Sequence, residues 1–189
     1  MFEQLFSLVN SIRPLSKELS EALHAVLQRD DYPKRTKLLA EGQVCDRIYF
    51  IEKGLARAFY YKEGQEITAW IMPENRLIIS VYSLFMQQPS YENVELLEES
   101  TLISINYSNL QTLYEQFPEF NYIGRVLTER YYVLSEQRSM SLRRQTSQER
   151  FQALLQTEPG LFNRVQLKHI ASYLGMTPET LSRLRAKIK

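Results

Sequence analysis

The hydrophobic period of this chain changes twice, and that change constrains the fold more than any other feature. Through residues 2–29 the apolar positions recur at helical spacing. Phe2, Leu5, Phe6 and Val9 share one face, Pro14 interrupts, and Leu19, Leu23, Val26 and Leu27 resume the pattern. From Arg35 the period becomes two, in short β-rich runs at 36–39, 47–52, 55–61, 65–71, 77–81 and 101–106. Turn chemistry separates them at Glu41-Gly42, Lys53-Gly54, Glu63-Gly64 and Pro73-Glu74-Asn75. Beyond Pro118 the helical period returns and persists. The pattern predicts an α+β chain: an N-terminal antiparallel β-sandwich or barrel with flanking helices, then an all-α C-terminal part.

Phe120, Ile123, Leu127, Tyr131 and Leu134 recur at steps of three and four, an apolar stripe through about four turns. Such a stripe needs a partner along its length. A second copy of the same helix in a twofold homodimer is the expected one, and a helix lying on its own sheet is the alternative.

The net charge of +1 conceals an asymmetry. Residues 1–124 hold 11 basic and 17 acidic side chains, a balance of −6, whereas residues 125–189 hold 12 and 5, a balance of +7. A basic C-terminal third suits a polyanion, nucleic acid before a membrane surface. A single cysteine, Cys45, leaves no internal disulfide and no cysteine metal site, and no metal ligand set is expected. There is no apolar run long enough to span a membrane and no signal-peptide pattern at the start, so a cytoplasmic protein without a membrane partner is expected. Two histidines, no Gly-rich phosphate loop and no paired nucleophile and base leave no catalytic residues to nominate, and the chain reads as a non-enzyme.

The most specific chemistry lies at the C-terminus. Leu167, Ile170, Ala171 and Leu174 form one helical face, Gly175 follows as a helix stop, and Thr177-Pro178-Glu179 opens a second helix with cap, first-turn proline and acid in register. Leu181, Leu184 and Ile188 give that helix its buried side. Small Ala171, Gly175 and apolar Leu181 at offsets 0, +4 and +10 make the helix-turn-helix pattern. On the second helix Glu179 and Arg183 suit base edges, Arg183 for guanine and Glu179 for cytosine, and Ser182 suits a base or a phosphate; Lys168, Arg185, Lys187 and Lys189 suit phosphates, and Thr177 is a further DNA-binding candidate. His169 is expected as a partly exposed helix residue.

At this point the chain resembles the Crp/Fnr regulators. The resemblance rests on the run Asp46-Arg47-Ile48-Tyr49-Phe50-Ile51-Glu52-Lys53-Gly54, on residues 91–105 and on the run from His169 through Gly175 to Arg183. It implies a jelly-roll sandwich like a cyclic-nucleotide-binding domain over 1–118, a dimerisation helix over 119–144 and a helix-turn-helix DNA-binding domain over 145–189. It further implies a transcriptional regulator that binds a palindrome in double-stranded DNA as a homodimer through the helix 178–188, with RNA polymerase as a further partner. Glu179 and Arg183 match the family's base-reading Glu and Arg, and Pro178 replaces another base-reading Arg. The β-hairpin wing that follows the recognition helix in many relatives is expected to be missing.

The family's phosphate-binding Gly-Glu pair falls on Ile79-Ser80 and its Arg-Ser/Thr-Ala on Ser90-Tyr91-Glu92. Cyclic AMP is therefore not expected to bind in the family manner, and no cofactor is expected. Ser80, Tyr82, Phe85, Ser90, Tyr91 and Glu92, with Tyr131 and Tyr132, are the candidate lining of a pocket for a neutral or aromatic effector, or else simply core. The competing function is a ligand- or protein-binding module whose C-terminal unit does not bind DNA.

Overall fold

The computed structural model describes residues 2–187, so Ile188 and Lys189 lie outside the described residues. The chain forms two units. One holds the described residues up to Ala58 together with Ile71–Glu129, the other Phe59–Trp70 and the described residues from Arg130.

Helices α1 (Glu3–Asn10) and α2 (Lys17–Val26) open the first unit. Ser16 ends the Pro14 break by capping α2, its hydroxyl accepting from the Leu19 amide at 3.2 Å. Strands β1 (Gln28–Tyr32), β2 (Lys37–Leu39), β3 (Arg47–Lys53), β4 (Ala56–Lys62), β5 (Gln65–Met72) and β6 (Leu77–Ile78) follow. Then come α3 (Val81–Met86), β7 (Asn93–Leu96), β8 (Ser100–Asn106), α4 (Tyr107–Gln116) and α5 (Pro118–Arg144). The strands make an antiparallel sandwich of two four-stranded sheets, ordered β1-β8-β3-β6 and β2-β7-β4-β5.

Several boundaries differ from the expectation. The N-terminal helical segment stops at Val26, because Gln28–Tyr32 pairs with Ser100–Ser104 of β8. That strand is polar and mostly exposed, so it carries no alternation to read, and pairing with β8 decides its state. The run 77–81 is extended only through Ile78, and Val81 begins α3. Helix α4 starts at a cap unnoticed in the sequence, where Asn106 Oδ1 accepts from the Asn109 amide at 2.8 Å.

The apolar stripe of α5 is the largest correction. Phe120 and Ile123 are buried within the monomer, in one cluster with Val9, Leu19, Leu23, Ile105, Leu110 and Leu113, and Leu127 packs against it. Phe120 and Ile123 thus serve the sandwich unit's own core and are not available to a second copy, whereas Leu127 is only half-buried. Period alone says which residues share a face, not what covers it.

In the second unit, α6 spans Ser147–Thr157. Thr146 is its cap, and Thr146 and Glu149 form a reciprocal capping box. α7 (Leu161–Arg164), α8 (Leu167–Tyr173) and α9 (Pro178–Ala186) complete it. Phe151, Leu154, Leu161, Val165, Ile170, Ala171, Leu174 and Leu181 are all buried, and the rings of Phe151 and Phe162 meet edge-on at 5.5 Å.

Candidate nucleic-acid interface

The turn between α8 and α9 is closed by backbone bonds. The Met176 amide donates to the Ala171 carbonyl at 3.0 Å and the Gly175 amide to that of Ser172 at 3.0 Å. This is a Schellman closure, and Gly175 holds the φ of +63° that it requires. Thr177 then caps α9, its hydroxyl accepting from the Thr180 amide at 3.2 Å, with Pro178 in the first turn. Leu181, fully buried beside Ile170 and Ala171, fixes α9 on α8.

That packing sorts the side chains nominated for DNA. Glu179, Ser182, Arg183 and Ala186 are exposed at the spacing of one helix face. Arg183 Nη2 donates to Thr180 Oγ1 at 3.3 Å. The Glu179 carboxyl is held below its ordinary value, first by its own backbone amide, then by the Thr177 hydroxyl and the nearby Arg183 cation. The Thr177 hydroxyl is thus committed to the start of α9. Arg185 lies over the Phe162 ring at 5.9 Å and, together with Ser182 and Ala186, borders a groove lined by Phe151, Leu155 and Leu167. Lys168 and Lys187 are exposed, and Lys189 lies outside the described residues. His169 is buried, contrary to its expected partial exposure.

Two arginines missed in the sequence support this turn. Arg138 and Arg150 donate to the carbonyls of Tyr173 at the end of α8, of its C-cap Leu174 and of Gly175 in the turn. Ser172 Oγ accepts from the Thr68 amide at 2.9 Å, tying α8 to the segment of β5 that belongs to the same unit. Nothing in the local pattern announces these contacts, which span 24 to 104 residues.

The candidate ligand residues separate into two groups. Ser80, Ser90 and Glu92 are buried together: the two hydroxyls are 3.1 Å apart, and Ser90 Oγ donates to the Glu92 carbonyl at 2.8 Å. Burial pushes the Glu92 carboxyl up, against a lowering hydrogen bond from Ser80. Tyr82 and Phe85 instead present their rings to solvent, because the inward side of α3 is taken by Ser83 and Leu84, and Tyr91, beyond α3, is exposed with its ring 5.8 Å from that of Tyr82. These three do not line an enclosed pocket, which corrects the expectation. Tyr131, half-buried, and Tyr132, exposed, lie on the part of α5 that belongs to the second unit. Arg57 is buried and ion-paired with Glu95 at 2.6 Å. Cys45 is buried with its thiol pushed up by that burial, the reverse of a reactive cysteine. Among the described residues no cluster of three or more His, Cys, Asp or Glu is placed to hold a metal ion, and no helix is long and apolar enough to cross a membrane.

Residues 29–117 match the cyclic nucleotide-binding domain. Among solved structures the chain is similar to FixK2 from Bradyrhizobium japonicum, with a TM-score of 0.75 at 18% identity over 86% of this chain and 84% of that one. It is similar to the c-di-GMP-responsive global regulator CLP from Xanthomonas campestris, with a TM-score of 0.70 at 18% identity over 92% and 91%. A regulator of the Crp/Fnr family from Eubacterium rectale gives 0.72 at 16% identity over 92% and 83%. At such identities the likeness is one of fold. No curated protein matches the chain.

Proposed function

We propose that this protein is a dimeric transcription regulator of the Crp/Fnr type, which reads a palindromic operator through a helix-turn-helix made of α8 and α9. The observation that carries the reading is the face of α9. Glu179, Ser182 and Arg183 stand exposed together near its N-terminal half, on a helix whose start, turn and buried side are each fixed. A helix that enters the major groove needs that combination, with half-sites about 34 Å apart in a twofold dimer. The fold shared with FixK2 and CLP supports the reading. For the dimer, α5 offers exposed Val133 and Met140, seven residues apart, in place of buried Phe120 and Ile123. Tyr131 and the 37%-exposed Leu134 sit on the same helix.

The effector is not cyclic AMP in this reading. A phosphate needs a cation or converging amides, but the place the resemblance assigns to it holds the buried carboxyl of Glu92, and the buried Arg57 is engaged by Glu95.

Selection of random duplex DNA on the purified protein, without nucleotide, tests the function. Recovery of a palindrome is expected, and Arg183→Ala then weakens binding by about 1–3 kcal/mol with relaxed specificity at one position of each half-site. Equal affinity of wild type and variant for selected and scrambled DNA overturns the reading in favour of a binding module. Added cyclic AMP is expected to leave the selected affinity unchanged.

A further inference from the structure

The first unit holds a partly open cavity of about 90 Å³ between its helices and the sheet that contains β3 and β8. Its walls include Val9 of α1, Leu23 of α2, Ile105 of β8, Tyr114 of α4, and Ile123 and Gly124 of α5. Every residue lining it is apolar except Tyr114 and Gly124, and no charged side chain contributes. Neither Ser80, Ser90 nor Glu92 belongs to it.

Protein interiors pack to crystal density, and voids larger than a water molecule are few. A void with an apolar lining excludes water, and its walls forgo dispersion contacts that a guest of matching size restores. The lining also selects the guest. A carboxylate or ammonium would lose its hydration and meet no opposite charge. The Tyr114 hydroxyl stays neutral, since burial pushes its ionisation up. Size sets the upper limit. An engineered apolar cavity of about 150 Å³ accepts benzene, so this smaller one admits a guest of a few heavy atoms or, with slight breathing of its walls, a single ring.

One wall is built with unusual economy of atoms. Gly124 contributes no side chain, and the Tyr114 ring lies so close to it that an added Cβ would stand 2.7 Å from Tyr114 Cε1. The same ring packs on Phe120 at 5.1 Å. Helices α4 and α5 thus line the cavity with Leu110, Tyr114, Phe120, Ile123 and Leu127, with bare backbone only at Gly124.

We infer that the first unit carries a binding site for a small, neutral, apolar molecule in the cavity bounded by Val9, Leu23, Ile105, Tyr114 and Ile123. The site involves no residue of α8 or α9, so it stands or falls independently of DNA reading.

Xenon and benzene are the probes, applied to the full chain with methyl NMR as the readout. Saturable shifts are expected at Val9, Leu23, Ile105 and Ile123, with the methyls of Leu154 and Ile170 in the second unit unmoved. Val9→Phe fills the space and is expected to abolish the shifts. Leu23→Ala enlarges it and is expected to tighten benzene at least tenfold. Absence of saturable shifts in the wild type overturns the inference, as does a folded Val9→Phe chain that still shows them. Should Val9→Phe fail to fold, an unchanged benzene affinity in Leu23→Ala overturns it equally.

Discussion

The guanidinium of Arg138 lies over the ring of Tyr173, 3.8 Å from its centroid, while Nη2 donates to the Tyr173 carbonyl at 2.7 Å. One side chain therefore both covers the last residue of α8 and satisfies a carbonyl that the helix leaves without a partner. Trp70 approaches the same cation at 5.5 Å. Arg150 completes the end of the helix, its Nε donating to the Leu174 carbonyl at 2.6 Å.

Loss of this contact is expected to loosen the second unit. A charge-assisted hydrogen bond contributes about 1.5–3 kcal/mol, and a desolvated cation–π pair adds up to about 2 kcal/mol. Arg138→Ala should therefore destabilise by roughly 2–4 kcal/mol in urea unfolding followed by the fluorescence of Trp70, the only tryptophan. Arg138→Lys should fall between, because an ammonium cannot stack on a ring and donate in the plane at once. Equal stability of all three chains would remove the contact from the account of why the turn is rigid.

The turn itself was legible in the sequence, whereas its support was not. Gly175, Thr177 and Pro178 act on backbone within a few residues, so their chemistry is local and the structure places each as expected. Arg138 and Arg150 act across 35 and 24 residues, which spacing cannot reveal. The sandwich was legible where a strand is apolar, as in β3, which buries Phe50 and Ile51, and illegible in β1, whose residues are almost all exposed. On α5 the period is legible, but at Phe120 and Ile123 the neighbour is the chain's own core rather than a second copy. Phe120 and Ile123 meet residues from α1, α2, α4 and β8, and no periodicity within one helix reports what lies opposite it.

Thr177 provides a second test. Its hydroxyl caps α9, and Thr177→Ala is expected to cost about 1 kcal/mol, with Thr177→Ser recovering most of it. The same change removes one hydrogen bond that holds the Glu179 carboxyl low, so its titration midpoint should move up toward the ordinary value. Carboxyl-detected NMR across the acid range reads both variants. An unmoved midpoint would mean that the Glu179 amide and Arg183 account for the depression between them.

Gly124 sits inside α5, where alanine would ordinarily be favoured by about 0.5–1 kcal/mol. Contact with Tyr114 reverses that sign, since the new methyl would overlap the ring. Overpacking of this kind costs about 1–3 kcal/mol, so Gly124→Ala is expected to destabilise. Gly160 is the control: nothing lies within 4 Å of an added Cβ there, and its alanine variant should change stability by no more than about 0.5 kcal/mol. Tyr114→Leu introduced with Gly124→Ala should recover part of the loss if the ring is the cause.

Glu92 links stability to the chemistry of the place assigned to a phosphate. Its carboxyl titrates above its ordinary value of 4.5, chiefly because burial opposes the charge, while the Ser80 hydrogen bond pulls the other way. A carboxyl whose folded value exceeds its unfolded one binds more protons in the native state between the two, so stability falls as pH rises through that window. Below 4.5 both states are protonated and the penalty is absent; above the raised value it is complete. Glu92→Gln keeps the shape and a group able to accept from Ser80 but carries no charge at any pH. The variant should match the wild type in acid and exceed it at neutral pH, with the difference growing steadily between, as read from urea midpoints. A wild type that instead gains on the variant as pH rises would place a cation against the Glu92 carboxylate. Such a cation would also be available to an anionic effector, and the exclusion of cyclic AMP would lose its physical basis.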